Sequence, residues 1–271
     1  MTICIAAICE DGNYIVVSAD RMFTSPLNVE FETDEKKIEV LSKSCVALAA
    51  GGSAQATEVL EPIRQKFSGK NDALVPEITV EVLNSYKYVR AMKVEENYLA
   101  MLGNDFLEQR KKGTTLPMYL QSQQGMYQQI VGLSSQLNLN LDLLVSGIDS
   151  SGAHLEQITH PGTHFPLEKL GYAAVGSGGS HAVISLSLSG QTKHRELIAT
   201  LQGVYDAKKA AEKAPGVGLT TDMAVIDKNG IWDCPPELCA ELEKVNSEVQ
   251  KKASPDLKKV RETYENLRKP K

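Results

Sequence analysis

Apolar residues at the start of the chain occur in short β-rich runs rather than at helical spacing. Residues 3–9 (ICIAAIC) and 14–19 (YIVVSA) are apolar at odd and even positions alike, which indicates strands that are covered on both faces. Residues 10–13 (EDGN) separate the runs, and their Asp-Gly step supplies the positive φ that a hairpin turn needs. We therefore predict a hairpin in an inner layer of the fold.

The rest of the chain alternates strand-like runs with helical periods. Groups of strands that alternate with paired helices are typical of two sheets packed between helical layers. We therefore predict an α+β fold of this layered kind. Further strands are predicted over 45–50, 141–148, 153–158, 171–175, 222–227 and 230–232, and helices over 54–68, 78–112, 116–135, 179–190, 194–213, 237–252 and 255–267.

The composition changes beyond Pro235 and Pro236, where helical periods replace the strand pattern. We predict one large domain over residues 2–234 and a C-terminal helical extension over 235–271. Residues 251–271 contain eight Lys or Arg against three Asp or Glu. This segment is interpreted as a solvated terminal helix, with docking to an acidic partner as the alternative.

Composition and charge exclude several classes of function. The net charge of −5 and the pI near 5.6 argue against a nucleic-acid-binding surface, which would be basic. No apolar run reaches the 18 or so residues of a membrane span, and the amino terminus lacks a signal-peptide pattern. We expect a cytoplasmic protein with no membrane partner.

Cysteine and histidine spacing give no indication of a metal or a cofactor. The five cysteines include no CxxC pair, so we expect reduced core thiols rather than disulfides or a zinc site. His160 and His164 are spaced like a metal pair but flank Pro161-Gly162 with no nearby ligand pattern. We interpret that segment as a surface loop and expect no metal and no cofactor.

Thr2 is the candidate for chemistry at the amino terminus. Removal of Met1 would expose an α-amine, whose ordinary pKa of about 7.7–8.0 leaves part of it neutral at physiological pH. That amine could take the proton of the hydroxyl in the same residue, which is the known Thr plus N-terminal amine pairing. With Met1 retained, the Thr2 nitrogen is an amide and cannot act as a base.

Four separated segments strengthen this hypothesis. The first runs from Thr2 through the hairpin to SADR, which ends at Asp20-Arg21. The others are EKKIEV (35–40), ALAAGGSA (47–54) and YAAVGSGGSHA (172–182). In order and approximate spacing, the chain resembles the proteasome β-subunit and HslV family of N-terminal nucleophile (Ntn) hydrolases.

The resemblance implies a four-layer αββα sandwich, the Ntn hydrolase fold, with a helical insertion at about 80–125. It also implies a catalytic role for five residues. Thr2 would be the nucleophile, Lys37 would lower the proton affinity around it, and Asp20 would orient that lysine, with Lys36 as the alternative if the register differs by one. Ser177 would hold the terminal amine, and the Gly51 backbone N–H would stabilise the oxyanion.

One part of the family pattern is missing. Active relatives carry an aspartate and a serine before the late strand, where KAPGVGLTTDMAVID (213–227) places Ala214 and Val217. Either peptidase activity is lost, or Thr220, Thr221 or Asp222 substitutes for these supports.

The resemblance implies a threonine peptidase in a self-compartmentalising ring of identical copies, which takes peptide or unfolded protein. An ATP-dependent unfoldase is a further candidate partner. Two other functions stay open. One is an Ntn amidase that acts on a small amide. The other is a catalytically inactive scaffold or gating subunit with the same fold.

Overall fold

A computed structural model describes residues 2–24, 29–70, 73–99 and 124–252 of the chain. The chain divides into two compact units, Met1–Cys234 and Pro235–Lys271. The described part is a mixed α/β structure with antiparallel sheets. Its strands are β1 (Ile3–Cys9), β2 (Tyr14–Ala19), β3 (Met22–Thr24), β4 (Glu30–Glu32), β5 (Ile38–Ser42), β6 (Cys45–Gly51), β7 (Leu141–Asp149), β8 (Gly152–Thr159), β9 (Thr163–Pro166), β10 (Tyr172–Gly176), β11 (Asp222–Asp227) and β12 (Gly230–Asp233). Its helices are α1 (Ser53–Phe67), α2 (Val75–Val94), α3 (Gln124–Gln136), α4 (Gly179–Leu188), α5 (Leu197–Ala211) and α6 (Pro236–Lys252).

The first sheet has the order β10-β1-β2-β11-β12. The predicted hairpin of β1 and β2 is confirmed, with a register from Cys4 opposite Ala19 to Cys9 opposite Tyr14. Every residue of β1 is buried, as expected for a strand that is apolar on both faces. Asp11 lies in the connecting turn with φ of 59°, a conformation that aspartate tolerates better than most residues. The amino-terminal strand is therefore an inner strand.

The second sheet has the order β5-β6-β7-β8-β9, and β3 and β4 form a separate small hairpin. All of the strand pairs in both sheets are antiparallel. Sequence analysis did not predict β3, β4, β5 or β9. The residues of β4 and β9 are all exposed, so they lack the apolar pattern on which strand prediction depends.

The two sheets pack against each other, and a helix pair lies against each of them. α1 and α2 contact the second sheet, whereas α4 and α5 contact the first. One apolar cluster joins side chains of both sheets, and a second joins the other face of the second sheet to α1 and α2. Each fully buried Leu or Ile in these clusters contributes about 1.5–3 kcal/mol. The second sheet is therefore covered by apolar side chains on both faces.

The helix predictions agree with the structure in type and differ at the ends. The helix expected over 78–112 is α2, which begins at Val75 and is followed by a π-helical turn at Glu95–Leu99. Residues 100–123, which include most of the expected insertion, lie outside the described residues, as does the helix expected over 255–267. None of the described helices combines the length and apolar character needed to cross a membrane.

The unit Pro235–Lys271 is described through α6, which begins with a proline at a position where the missing N–H costs little. Leu242 and Asn246 are its buried residues. The cysteine prediction holds in part. Cys4, Cys9 and Cys45 are free and buried, whereas Cys234 and Cys239 are only half-buried, so the last two are not core thiols.

Candidate active site

Thr2 lies directly before β1, and only 2% of its surface is exposed. Its hydroxyl donates a hydrogen bond to Asp20 Oδ1 and accepts one from Lys37 Nζ. The hydroxyl therefore lies between a carboxylate and an ammonium. A threonine that only begins a strand would need neither partner.

Asp20 follows β2 and is fully buried. Its Oδ1 accepts hydrogen bonds from Lys37 Nζ at 2.7 Å and from the Ile3 N–H at 3.3 Å, and its Oδ2 accepts one from the Gly218 N–H at 2.7 Å. A buried carboxylate needs such partners, because its transfer from water costs several kcal/mol. These bonds fix the orientation of Asp20 beside Thr2.

Lys37 precedes β5, and 6% of its side chain is exposed. Its ammonium donates hydrogen bonds to Thr2 Oγ1, to Asp20 Oδ1 and to the Met22 carbonyl oxygen. These three bonds match the three N–H donors of an ammonium. The Phe23 ring centroid lies 5.3 Å from Nζ, which is within cation–π range. The lysine is therefore fixed in place by charge, hydrogen bonds and an aromatic face.

Lys36, the alternative to Lys37, lies in a different environment. Its side chain is 46% exposed, and its Nζ pairs with Asp233 Oδ2 at 2.7 Å. The two adjacent lysines thus have different partners, and only one of them lies beside Thr2. The structure places Lys37 there.

Ser177 lies in the turn between β10 and α4 and contacts the backbone of Thr2. Its Oγ accepts a hydrogen bond from the Thr2 N–H at 3.2 Å and donates one to the Thr2 carbonyl at 3.3 Å. The preceding Gly176 has φ of 101°, and a Cβ there would collide with the Thr2 carbonyl oxygen. Glycine thus lets the turn approach the first strand, and the serine sits beside the nitrogen that processing would expose.

Gly51 ends β6 with φ of 132°, and a Cβ there would collide with the Asn140 carbonyl oxygen. It lines a cavity of about 380 Å³ together with Lys37 and Phe23. Glu39 and Arg64 also line this cavity. The cavity is therefore next to the Thr2 group, and its lining combines apolar surface with charges of both signs.

The positions of the two missing supports are buried and apolar. Ala214 and Val217 are each 7% exposed. The following residue, Gly218, donates its backbone N–H to Asp20 Oδ2. This loop therefore contributes a backbone donor to the Asp20 carboxylate, in a region where the resemblance implies side-chain supports.

Lys208 in α5 holds that loop and was not identified from the sequence. It is fully buried, and its Nζ donates to the carbonyl oxygens of Gly218 and Leu219, each at 2.9 Å, and to Glu212 Oε1 at 2.5 Å. Burial lowers the pKa of Lys208 below its ordinary value, although Glu212 opposes the shift. The only available signal was a lysine four residues before a glutamate on a predicted helix, which is common on exposed helices.

The proposed substitutes for the missing supports have other partners. Thr220 donates its backbone N–H and its hydroxyl to Glu32, and Thr221 bonds the Leu219 carbonyl. Asp222 accepts two hydrogen bonds from Arg21, at 2.8 and 2.7 Å. Among the described contacts of these three residues, none reaches Thr2.

His160 and His164, which are spaced like a metal pair, have different surroundings in the structure. His164 contacts Glu156 at 2.5 Å, whereas His160 Nδ1 is buried with no hydrogen-bond partner among the described residues. A cluster that sequence analysis missed contains His154, Glu156 and Glu168. These residue types are ones that can hold a metal ion.

Comparison with known proteins does not assign this arrangement to a family. No protein-family model and no curated protein matches the chain. Any functional conclusion therefore has to come from the contacts of Thr2, Asp20 and Lys37.

Proposed function

We propose that the chain is an N-terminal nucleophile hydrolase in which Thr2 attacks an amide bond after Met1 is removed. The observation that carries this proposal is the position of the Thr2 hydroxyl between Asp20 and a buried Lys37. Burial of a lysine is costly and needs compensation. A buried ammonium in contact with a threonine hydroxyl, despite this free-energy cost, indicates a catalytic role for that hydroxyl.

The layer arrangement supports the same proposal. The two stacked antiparallel sheets with a helix pair on each side are compatible with the four-layer αββα sandwich of the Ntn hydrolases. In that fold the nucleophile is the first residue of an inner strand, which is the position of Thr2 before β1.

The proposed reaction uses groups of Thr2 itself. Without Met1, the Thr2 nitrogen becomes a primary amine within 3.2 Å of Ser177 Oγ. The amine takes the hydroxyl proton while Oγ1 bonds to the carbonyl carbon of the substrate. That proton then passes to the substrate nitrogen as the C–N bond breaks, and the acyl group stays on Thr2 as an ester. Water then hydrolyses the ester, with the amine again as base.

Lys37 and Gly51 have separate roles in this scheme. The ammonium of Lys37 lowers the pKa of a neighbouring amine, because two positive charges repel each other. The amine is then more often in the free-base form that can accept a proton. The Gly51 N–H would donate to the oxyanion, and one such donor contributes about 3 kcal/mol to the transition state.

The cavity beside Lys37 is the proposed site for the substrate side chain. Its volume of about 380 Å³ lies within the range of small-molecule sites and accommodates one residue of a peptide. The same volume would accommodate a small amide, so the preference for a peptide substrate rests on the resemblance to threonine peptidases. Assembly into a ring of identical copies and delivery by an ATP-dependent unfoldase are further parts of this proposal.

A catalytically inactive scaffold is the second candidate. The observation that favours it is the apolar character of Ala214 and Val217, where active relatives carry acid and hydroxyl side chains. Gly218 offers a backbone donor in this region instead. Only an activity measurement separates the two candidates.

The test begins with the intact mass of the purified chain, which should show loss of Met1. A panel of fluorogenic peptides is then hydrolysed by the wild type, by Thr2→Ala and by Thr2→Ser. We expect Thr2→Ala to lose turnover and Thr2→Ser to retain part of it, because serine keeps both the hydroxyl and the amine.

Thr163→Ala is the matched control, because Thr163 is an exposed threonine of β9. It should hydrolyse the peptides like the wild type. Equal turnover by Thr2→Ala and the wild type would overturn the role of Thr2. Complete retention of Met1, or no turnover of any peptide by processed protein, would favour the scaffold.

A further inference from the structure

A second cluster of polar side chains lies on β8 and beside β9. His154 and Glu156 are two residues apart on β8, so their side chains lie on the same face of the sheet. The β8–β9 register places Pro166 opposite Glu156, and Glu168 follows two residues later. The fold thus gathers one imidazole and two carboxylates from two chain segments.

The donor atoms of this cluster are close enough to share an ion. One ligand atom from each of His154, Glu156 and Glu168 lies within 4.8 Å of the other two. His154 Nδ1 is 3.6 Å from Glu168 Oε1. A cation between these two atoms would be about 2 Å from each, which is the usual length of Zn–N and Zn–O bonds.

Outer partners fix the orientation of the inner groups. His154 Nε2 lies 3.2 Å from Asp149 Oδ1 and 2.9 Å from Ser151 Oγ. When Nε2 donates its hydrogen to Asp149, Nδ1 faces Glu168 with a lone pair. His164 Nε2 contacts Glu156 Oε2 at 2.5 Å. Metal-binding histidines and carboxylates typically have such supports.

The charges of the cluster also favour a cation. Glu156 is only 6% exposed. The Glu156 and Glu168 carboxylates both lie within the cluster, so their negative charges are close together. A divalent ion would compensate both the burial and the repulsion between the two carboxylates. The side chains of His154 and Glu168 are 15% and 30% exposed, so an ion can reach them.

We propose that His154, Glu156 and Glu168 bind a divalent transition-metal ion, with Asp149 and His164 as outer supports. Mixed nitrogen and oxygen ligands suit Zn²⁺ or Mn²⁺. His154 and Glu156 lie on β8, whereas Glu168 lies just after β9, so the ion would join β8 to the segment that follows β9. This site does not depend on the proposed role of Thr2.

The test uses the full chain after dialysis against a chelator, with Zn²⁺ and Mn²⁺ titrated separately by calorimetry. We expect one site with a Kd of about 1 µM or tighter for at least one ion. A Tm rise of about 5–10 °C is expected at a metal concentration 100-fold above Kd. Glu168→Gln should weaken binding at least about 100-fold, and Asp149→Asn about 10-fold.

His194→Gln is the matched control, because His194 is exposed and pairs with Asp11 outside the cluster. It should bind the ion like the wild type. Co²⁺ binding should give d–d absorption without a thiolate charge-transfer band, because no ligand is a cysteine. The proposal is overturned by a Kd above 1 mM for both ions, or by unchanged binding in the double variant His154→Gln/Glu168→Gln.

Discussion

The adjacent lysine pair before β5 and the adjacent lysine pair in α5 each divide into a buried and a more exposed member. The side chains of Lys37 and Lys208 are 6% and 0% exposed, respectively. The side chain of Lys36 is 46% exposed, and that of Lys209 is 22% exposed. Two consecutive lysines thus differ in burial, and the surrounding residues rather than the residue type determine which of them is buried.

The two buried lysines act on the same carboxylate from opposite sides. Lys37 bonds Asp20 Oδ1 directly. Lys208 bonds the carbonyl of Gly218, whose N–H donates to Asp20 Oδ2. Lys37 also contacts the Thr2 hydroxyl, whereas Lys208 contacts only Glu212 and backbone carbonyls among its described contacts. The comparison therefore supports the proposed role of Lys37 beside Thr2 and indicates that Lys208 positions the late loop.

The largest effect is expected for Lys37→Met. In the proposed reaction, loss of the ammonium beside Thr2 removes the group that keeps the terminal amine in its free-base form. Turnover should fall about 10³-fold, within the range of proton-transfer catalysis. Peptide hydrolysis measured against pH would check the reason, because the rate that remains should require a higher pH than in the wild type.

Lys36→Met is the control for this change. Its partner Asp233 is exposed, and an exposed ion pair contributes about 0–1 kcal/mol. Lys36 also lines the proposed substrate cavity, so turnover should fall at most a few-fold, far less than in Lys37→Met. Equal losses in Lys36→Met and Lys37→Met would show that the buried lysine has no special role in the reaction.

Lys208→Met should have the next largest effect, on stability. It leaves the Glu212 carboxylate and the carbonyls of Gly218 and Leu219 without their partner. Removal of one member of a buried ion pair costs about 3–5 kcal/mol. Urea denaturation should show this loss in the free energy of unfolding.

Lys209→Met serves as its control, because Lys209 pairs with the other oxygen of Glu212 at 3.0 Å but is more exposed than Lys208. Its cost should stay within about 1 kcal/mol. A cost for Lys208→Met no larger than that for Lys209→Met would contradict the positioning role.

Arg21→Met tests an ion pair of intermediate burial. Arg21 donates two hydrogen bonds to Asp222, whose side chain is 11% exposed. These hydrogen bonds raise the pKa of Arg21 above its ordinary value. The free energy of unfolding should fall by about 1.5–3 kcal/mol, as for hydrogen bonds to charged groups. If Arg21→Met lowers the free energy of unfolding no more than Lys36→Met does in the same urea titration, burial does not strengthen this ion pair.

The sequence allowed prediction of the features that are local. β1 and β2 follow from uninterrupted apolar runs and an Asp-Gly turn. Thr2, Asp20 and Lys37 each lie directly before or after a strand, where a short polar interruption stands out against the apolar pattern. Their proximity depends on the pairing of strands, and it was expected only because four segments together resembled a known family.

The features that sequence analysis missed depend on contacts between distant segments. Lys208 reaches a loop ten residues later, and no periodicity encodes the path of that loop. Glu156 and His154 could have been placed on one face from their spacing. Glu168 joins them only through the register of β8 and β9, and β9 itself is exposed and was not predicted.

The smallest effect concerns the pH dependence of stability. Burial lowers the pKa of Lys208 in the folded state, with Glu212 opposing. As pH rises through that lowered pKa toward the ordinary value of about 10.4, the folded chain releases the proton of Lys208 before the unfolded chain does. The unfolded state then binds more protons, so this lysine makes stability rise with pH across that window.

Urea denaturation between pH 8 and pH 10 tests this direction. The free energy of unfolding of the wild type minus that of Lys208→Met should increase with pH in this range. Lys209→Met is the reference for the loss of one lysine. A difference that falls with pH would mean that the site stabilises the charged form of Lys208, and the contrast between the two members of the pair would then rest on hydrogen bonds rather than on burial.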